Sequence, residues 1–200
     1  PSYSMLLYLR DRFELNREQC FWLAFLYSTT YCGASTFYLL NEFPDYETLD
    51  HGRLSRWWTA NKSRVLFQSD RLRIKTGDKW VDTVESYRDV SGMLQGSSFW
   101  QFETPCPRLN YELATRHLGK IRNVGRFTLF LLTEAIHILT GFPMRPASMD
   151  LRDAVSCRNG LALAIGRPDL NTHGDRKRKL DPKDEAFLQR EFDQLVEKLE

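Results

Sequence analysis

Two stretches of this chain are apolar on nearly every helical face: Cys20 to Tyr27 and Phe127 to Leu139. A helix at a protein surface keeps one polar side, so a helix without one has to run through the middle of a core. Any fold open to this sequence must bury both segments and wrap the remaining chain around them. Their ends carry signals of their own. Asn16 followed by Gln19 forms a capping box in front of the first run, and Gly33 reads as its stop. Gly141, with Pro143 and Pro146 behind it, stops the second.

Helical signals dominate the rest. Ala34 to Leu40 is a helical segment ahead of Pro44, and Asp45 caps a stretch through Leu49, Leu54, Trp57 and Trp58. Trp80 to Leu94 has helical spacing through Val81, Val84 and Tyr87, and Asn110 opens a helix through Leu118. Asp150 to Gly160 and Leu161 to Ile165 form one or two helices. Asp181-Pro182 caps a last amphipathic helix with Phe187, Leu188, Phe192, Leu195 and Leu199 on one side. Val65-Leu66-Phe67 and Leu72-Arg73-Ile74 read equally as strand pieces or helix turns, and Gly96 to Pro107 as a loop. No alternating pattern is long enough for a sheet, so the expected class is all-α. The expected division is a helical domain over 1–172 and a basic linker with a C-terminal helix over 173–200.

Composition narrows the function classes. With 42% hydrophobic and 13% aromatic residues in 200, the chain can build a core and is not disordered. A net charge of +2 does not mark a nucleic-acid binder, so only local clustering can. Cys20, Cys32, Cys106 and Cys157 form no C-x-x-C pair, which argues against zinc and a disulfide framework and for reduced, buried thiols. His51, His117, His137 and His173 show no metal-ligand spacing, and no cofactor or metal is expected. No window is apolar enough for a membrane span and no signal-peptide layout opens the chain, so no membrane partner and a cytoplasmic location are expected.

Clustering appears at a hairpin over about 118–128. Val124 and Gly125, with Thr128 opening the apolar helix, make a turn that aims backbone N–H groups outward, and Arg116, Lys120, Arg122 and Arg126 surround it. That is a footprint for phosphates, with Lys120, Arg122, Asn123, Gly125 and Thr128 as the DNA-binding candidates. An αα turn with solvated arginines has the same local pattern. Glu134 is the only acid in the apolar helix: a pocket carboxylate, or one paired structurally. Asp150 is either a pocket acid or a helix-start acid favoured by the macrodipole, and Arg158, beside Asn159, either binds an anion or pairs with an acid. On the same terms, Tyr27, Thr30 and Tyr31 at the end of the first buried run line a pocket or a polar corner. Trp57 and Trp58 stack on bases or on the core.

Together these residues resemble the helix-hairpin-helix DNA-glycosylase superfamily, whose hairpin reads L-P-G-V-G-x-x-T-A with an aspartate and an arginine downstream. Val124, Gly125, Thr128, Asp150 and Arg158 match, while Arg122 and Asn123 replace the proline and first glycine. Phe127 stands where endonuclease-III-like members carry a Schiff-base lysine, so lyase chemistry is not expected, and the four-cysteine iron–sulfur loop of some relatives is absent. Three segments, Phe21 to Ser35 (F-W-L-A-F-L-Y-x-x-T-Y-x-G-x-S), Asn123 to Phe127 and Asp150 to Gly160 (D-x-x-x-x-V-S-x-R-N-G), look most like the bacteriophage α-glutamyl/putrescinyl thymine pyrophosphorylases. The resemblance implies a DNA-glycosylase-like fold. It also implies that an amino acid or amine displaces pyrophosphate from 5-pyrophosphoryloxymethyl uracil in double-stranded DNA. Asp150 or Glu134 would take the proton; Tyr27, Thr30, Tyr31, Arg126, Arg158 and Asn159 would bind the substrates. A base-excision glycosylase without co-substrate and a DNA-binding module without chemistry are the alternatives.

Overall fold

The computed structural model describes residues 2–46, 49–92, 103–148, 151, 154–171 and 180–199. Among them there is no strand, and the chain is all-α. The helices are α1 (Ser2–Arg12), α2 (Arg17–Thr30), α3 (Gly33–Glu42), α4 (His51–Asn61), α5 (Leu72–Lys75), α6 (Lys79–Gly92), α7 (Pro107–Leu118), α8 (Arg126–Thr140), α9 (Val155–Ala164) and α10 (Pro182–Leu199). Short 3-10 turns lie at Ser69–Arg71 and Pro168–Leu170. By packing the chain forms two compact units, Pro1–Arg145 and Pro146–Glu200.

The first unit is organised by the two apolar runs. Helices α2 and α8 pack against each other more extensively than any other pair, with α1 and α7 also on α8 and α3 on α2. Every α2 residue from Cys20 to Thr30 is buried, whereas α8 leaves Phe127 and Phe130 partly exposed. Asn16 caps α2 as expected: its Oδ1 accepts from Gln19 N at 2.9 Å while its own N–H donates to Gln19 Oε1 at 3.0 Å. Gly141 closes α8 with φ 70°, its N–H donating to His137 O at 2.9 Å.

Three expectations are corrected. Helix α2 is ended not by Gly33 but by Tyr31, which takes the left-handed conformation (φ 51°) and donates its N–H to Tyr27 O. Gly33 opens α3 instead, beside α1, where a Cβ would come 2.5 Å from Met5 Sδ and push that side chain aside. Helix α4 is capped by Asp50, whose Oδ1 accepts from Arg53 N at 2.9 Å, not by Asp45. The cysteines are free thiols, but Cys106 and Cys157 are exposed rather than buried.

The two ambiguous segments resolve differently. Residues 65–68 run without regular structure along the end of α2, Gln68 N donating to Thr30 O at 3.1 Å and Leu66 N to Ser35 Oγ at 2.7 Å; residues 72–75 are the short α5. The tryptophans serve the core: Trp58 stacks on Trp80 at 4.8 Å, and Trp57 meets Phe43 edge-on at 4.8 Å. Helix α7 starts at Pro107, ahead of Asn110, whose buried amide ties Thr104 to Pro143 O.

In the second unit Leu151, Leu161, Ala162, Leu170 and Leu188 form a small core that joins α9 to α10. Packing thus groups these two helices, while the change in composition falls later, near 172. Asp181 caps α10, accepting from Lys183 N at 2.8 Å, and Pro182 occupies the first turn.

Candidate functional site

The C-terminal end of α2 is rich in hydroxyls, and the structure shows where they go. Ser28, Thr29 and Thr30 donate back to the carbonyls of Phe25, Leu26 and Leu26 at 3.0, 3.1 and 3.0 Å, all fully buried. Thr30 also meets Thr36 Oγ1 at 3.2 Å, tying α2 to α3. These hydroxyls close the helix end, and a series of rings runs past it from the buried Tyr27 out to the exposed Phe127. Tyr3, Tyr27, Tyr31 and Phe127 form a continuous series of edge contacts, with successive centroids 6.0, 5.6 and 6.2 Å apart. The series joins α1, the end of α2 and the start of α8.

Glu134 lies at one end of this series. It is half-buried, and its carboxylate accepts a hydrogen bond from the Tyr3 phenol. The Tyr3 phenol is pushed well above its usual pKa, first by burial and then by the neighbouring Glu134, so it stays protonated and acts as the donor. At the other end lies Arg71, only 4% exposed. Its Nε donates to Ser28 O at 3.0 Å, and its guanidinium carbon sits 4.5 Å from the Phe127 ring centre. Sequence reasoning takes Arg71 only as one cation of the basic segment 62–79, a candidate phosphate-binding loop, and passes over Tyr3. Arg71 is one of several cations in a polar stretch, and its burial follows from residues 65–68 folding back onto α2. Tyr3 belongs to no motif, and only the crossing of α1 over α8 brings it to Glu134.

The hairpin between α7 and α8 is at the surface, with Lys120, Arg122, Asn123, Gly125 and Arg126 exposed. Ile121 is its buried anchor, and the turn closes through Ile121 N to Leu118 O and Val124 N to Ile121 O at 3.1 and 3.2 Å. Asn123 takes φ 62°, which asparagine tolerates better than most residues, and its amide donates to Thr83 Oγ1 at 3.0 Å. The same amide donates to Lys79 O at 3.3 Å, and Arg122 N donates to Ser86 Oγ at 2.9 Å, so three bonds fix the turn to α6. Gly125 is the N-cap of α8; no side chain caps this first turn, and a Cβ on Gly125 would meet nothing within 4 Å. Open glycine backbone, an uncapped helix start and flanking arginines form an anion-facing surface. Thr128 is buried, so only its backbone lies near that surface.

A family model described as amino acid:DNA transferase matches residues 1–200. The chain belongs to that family. No curated protein and no solved structure matches it.

The enzyme is therefore an amino acid:DNA transferase, a DNA-modifying enzyme whose substrates are DNA and an amino acid. The remaining candidates of this transferase lie in the second unit. Asp150 falls outside the described residues. Helix α9 opens at Val155, so Arg158 sits in its first turn rather than two turns along a helix begun at Asp150. Arg158 is 1% exposed and Asn159 is also buried, a placement in which a guanidinium requires acceptors around it. Among the described residues no group of three or more His, Cys, Asp or Glu could hold a metal ion, and no helix is long and apolar enough to cross a membrane.

Proposed function

We propose that this transferase acts on a hypermodification precursor of thymine in double-stranded bacteriophage DNA, a 5-pyrophosphoryloxymethyl uracil. The amine of a free amino acid attacks the C5 methylene carbon, the carbon–oxygen bond to pyrophosphate breaks, and pyrophosphate leaves as the new carbon–nitrogen bond forms. The attacking ammonium has to give up its proton, and a carboxylate near the reacting carbon takes it. The observation that carries this reading is Glu134, an acid in an otherwise apolar stretch of α8, at the end of a series of rings whose other end, Phe127, lies in the first turn of α8 directly after the hairpin.

The residues divide the work by chemistry. The hairpin, through Lys120, Arg122, Asn123, Gly125 and Arg126, holds the DNA backbone without reading sequence. The half-exposed ring of Tyr31 receives the base once it leaves the stack, as in enzymes that extrude their target, with the buried Tyr27 packed behind it. Arg126 is the hairpin's cation for the departing pyrophosphate; within the second unit, Arg158 is the candidate anion-binding side chain and Asp150 the candidate acid–base group. This placement extends the helix-hairpin-helix DNA-glycosylase likeness of the sequence into a transferase role.

Incubation with duplex DNA carrying the pyrophosphorylated base and a mixture of amino acids, followed by nucleoside digestion and mass spectrometry, tests it. The expected product is a heavier thymidine derivative together with free pyrophosphate. A free base and an abasic site would replace this reading with glycosylase chemistry; an unchanged nucleoside profile would reject the substrate.

A further inference from the structure

We propose that Tyr3 is a positioning residue for the transfer reaction: its phenol donates to the Glu134 carboxylate and keeps that carboxylate ionised and aimed into the ring-lined corner. The inference rests on Glu134 acting as the base for the attacking amine. It begins from the one side-chain hydrogen bond that links α1 to the acid of α8. A proton already on the carboxyl cannot be exchanged for one from the donor, so the base has to present a free carboxylate oxygen to the amine. A hydrogen bond to the ionised form favours that form and also fixes the orientation of the accepting oxygen. Tyr3 suits the task because its phenol does not ionise in the working range, so it donates at any pH at which the enzyme acts. The Tyr3 ring is itself held edge-on by Tyr27 at 6.0 Å, which restricts the phenol to one approach.

On α1, Arg10 turns away, donating to Asp11 Oδ1 at 2.8 Å and to Leu139 O at 3.1 Å. The titratable groups of α2 near the pair are Tyr27 and Tyr31. On α8 itself Arg126 lies two turns earlier at the exposed hairpin, and His137 is exposed with Nδ1 2.7 Å from Phe142 O. Helix α7, with Tyr111, Glu112, Arg116 and His117, meets α8 on the side of Leu129, about 140° round the helix from Glu134.

The test is the pH dependence of kcat in the full chain for wild type, Tyr3→Phe and Glu134→Gln. Tyr3→Phe keeps the ring and removes only the donor. Its acidic limb should move up by about one pH unit, the size expected for losing one hydrogen bond to a charged group, with most of the rate recovered above the new limb. A rate lowered equally at every pH, or a limb left in place, would overturn the proposal, since loss of packing alone does neither. Glu134→Gln separates the two readings: if it keeps full turnover, the assignment of the base fails; if it is inactive while the Tyr3→Phe limb stays put, only the role of Tyr3 fails. Should Tyr3→Phe fold poorly, the Tyr3 hydroxyl proton of the wild type can be sought by NMR: a downfield, slowly exchanging resonance that disappears in Glu134→Ala is expected, and its absence would overturn the proposal.

Discussion

Replacing both Arg122 and Arg126 with alanine isolates the hairpin's contribution to DNA binding, because the structure separates the cations from the turn that carries them. Both side chains are exposed, whereas the turn is held by backbone and by neighbours: Ile121 is buried, Arg122 donates through its main-chain N–H to Ser86, and Asn123 through its amide to Thr83. Unfolding stability should therefore stay within about 0.5 kcal/mol of wild type. If each arginine neutralises one phosphate of duplex DNA, each loss takes about 0.9 from the slope of log affinity against log salt, about 1.8 for the pair. Referred to 1 M salt, that amounts to a loss of about thirtyfold in affinity at 0.15 M, shrinking toward none as salt rises. Fluorescence anisotropy with a labelled duplex between about 0.05 and 0.5 M salt measures both quantities. An unchanged slope with unchanged affinity would show that DNA is anchored elsewhere. A salt-independent loss would show that the arginines act through the shape of the turn rather than through charge.

Further outcomes are expected. Asp150→Asn should abolish product while leaving DNA affinity intact, at a cost of about a hundredfold or more if the carboxylate takes or balances a proton; near-full turnover would remove Asp150 from the mechanism. Asn16→Ala removes one half of the capping box on the most buried helix and should cost about 1 kcal/mol, about 2–4 °C in Tm by calorimetry, without changing kcat. Burial pushes the His117 imidazole below its ordinary value of 6.5. The unfolded chain then binds a proton more readily than the folded one, so this group's contribution to stability is intact at neutral pH and is lost as pH falls through and below about 6.5. Denaturant midpoints at pH 7.5 and 5.5 should differ less in His117→Gln than in wild type, and an identical difference would remove His117 as a cause.

The sequence alone determined the features that depend on local pattern. Helices with no polar face are legible because burial has to be total, so Cys20 to Tyr27 and Phe127 to Leu139 predicted their own position in the core. The capping box at Asn16, the left-handed glycine at Gly141, the Asp181-Pro182 start and the exposed hairpin are legible because each is a contact between residues a few positions apart. Where local signals competed, sequence reading failed. Gly33 looks like a stop, yet it opens α3 against the Met5 side chain of α1, and Tyr31 takes the left-handed position instead, braced by its contacts with Tyr27 and Phe127. Only the tertiary structure decided the make-up of the polar corner. Tyr3 reaches Glu134 and Arg71 reaches Phe127 across long stretches of chain, and neither residue lies in a pattern that would distinguish it from a solvated neighbour. Thr30, conspicuous in sequence, spends its hydroxyl on the chain itself. A side chain's chemistry is written in its type, but what remains available to a substrate is set by which partners the packing brings within hydrogen-bonding distance.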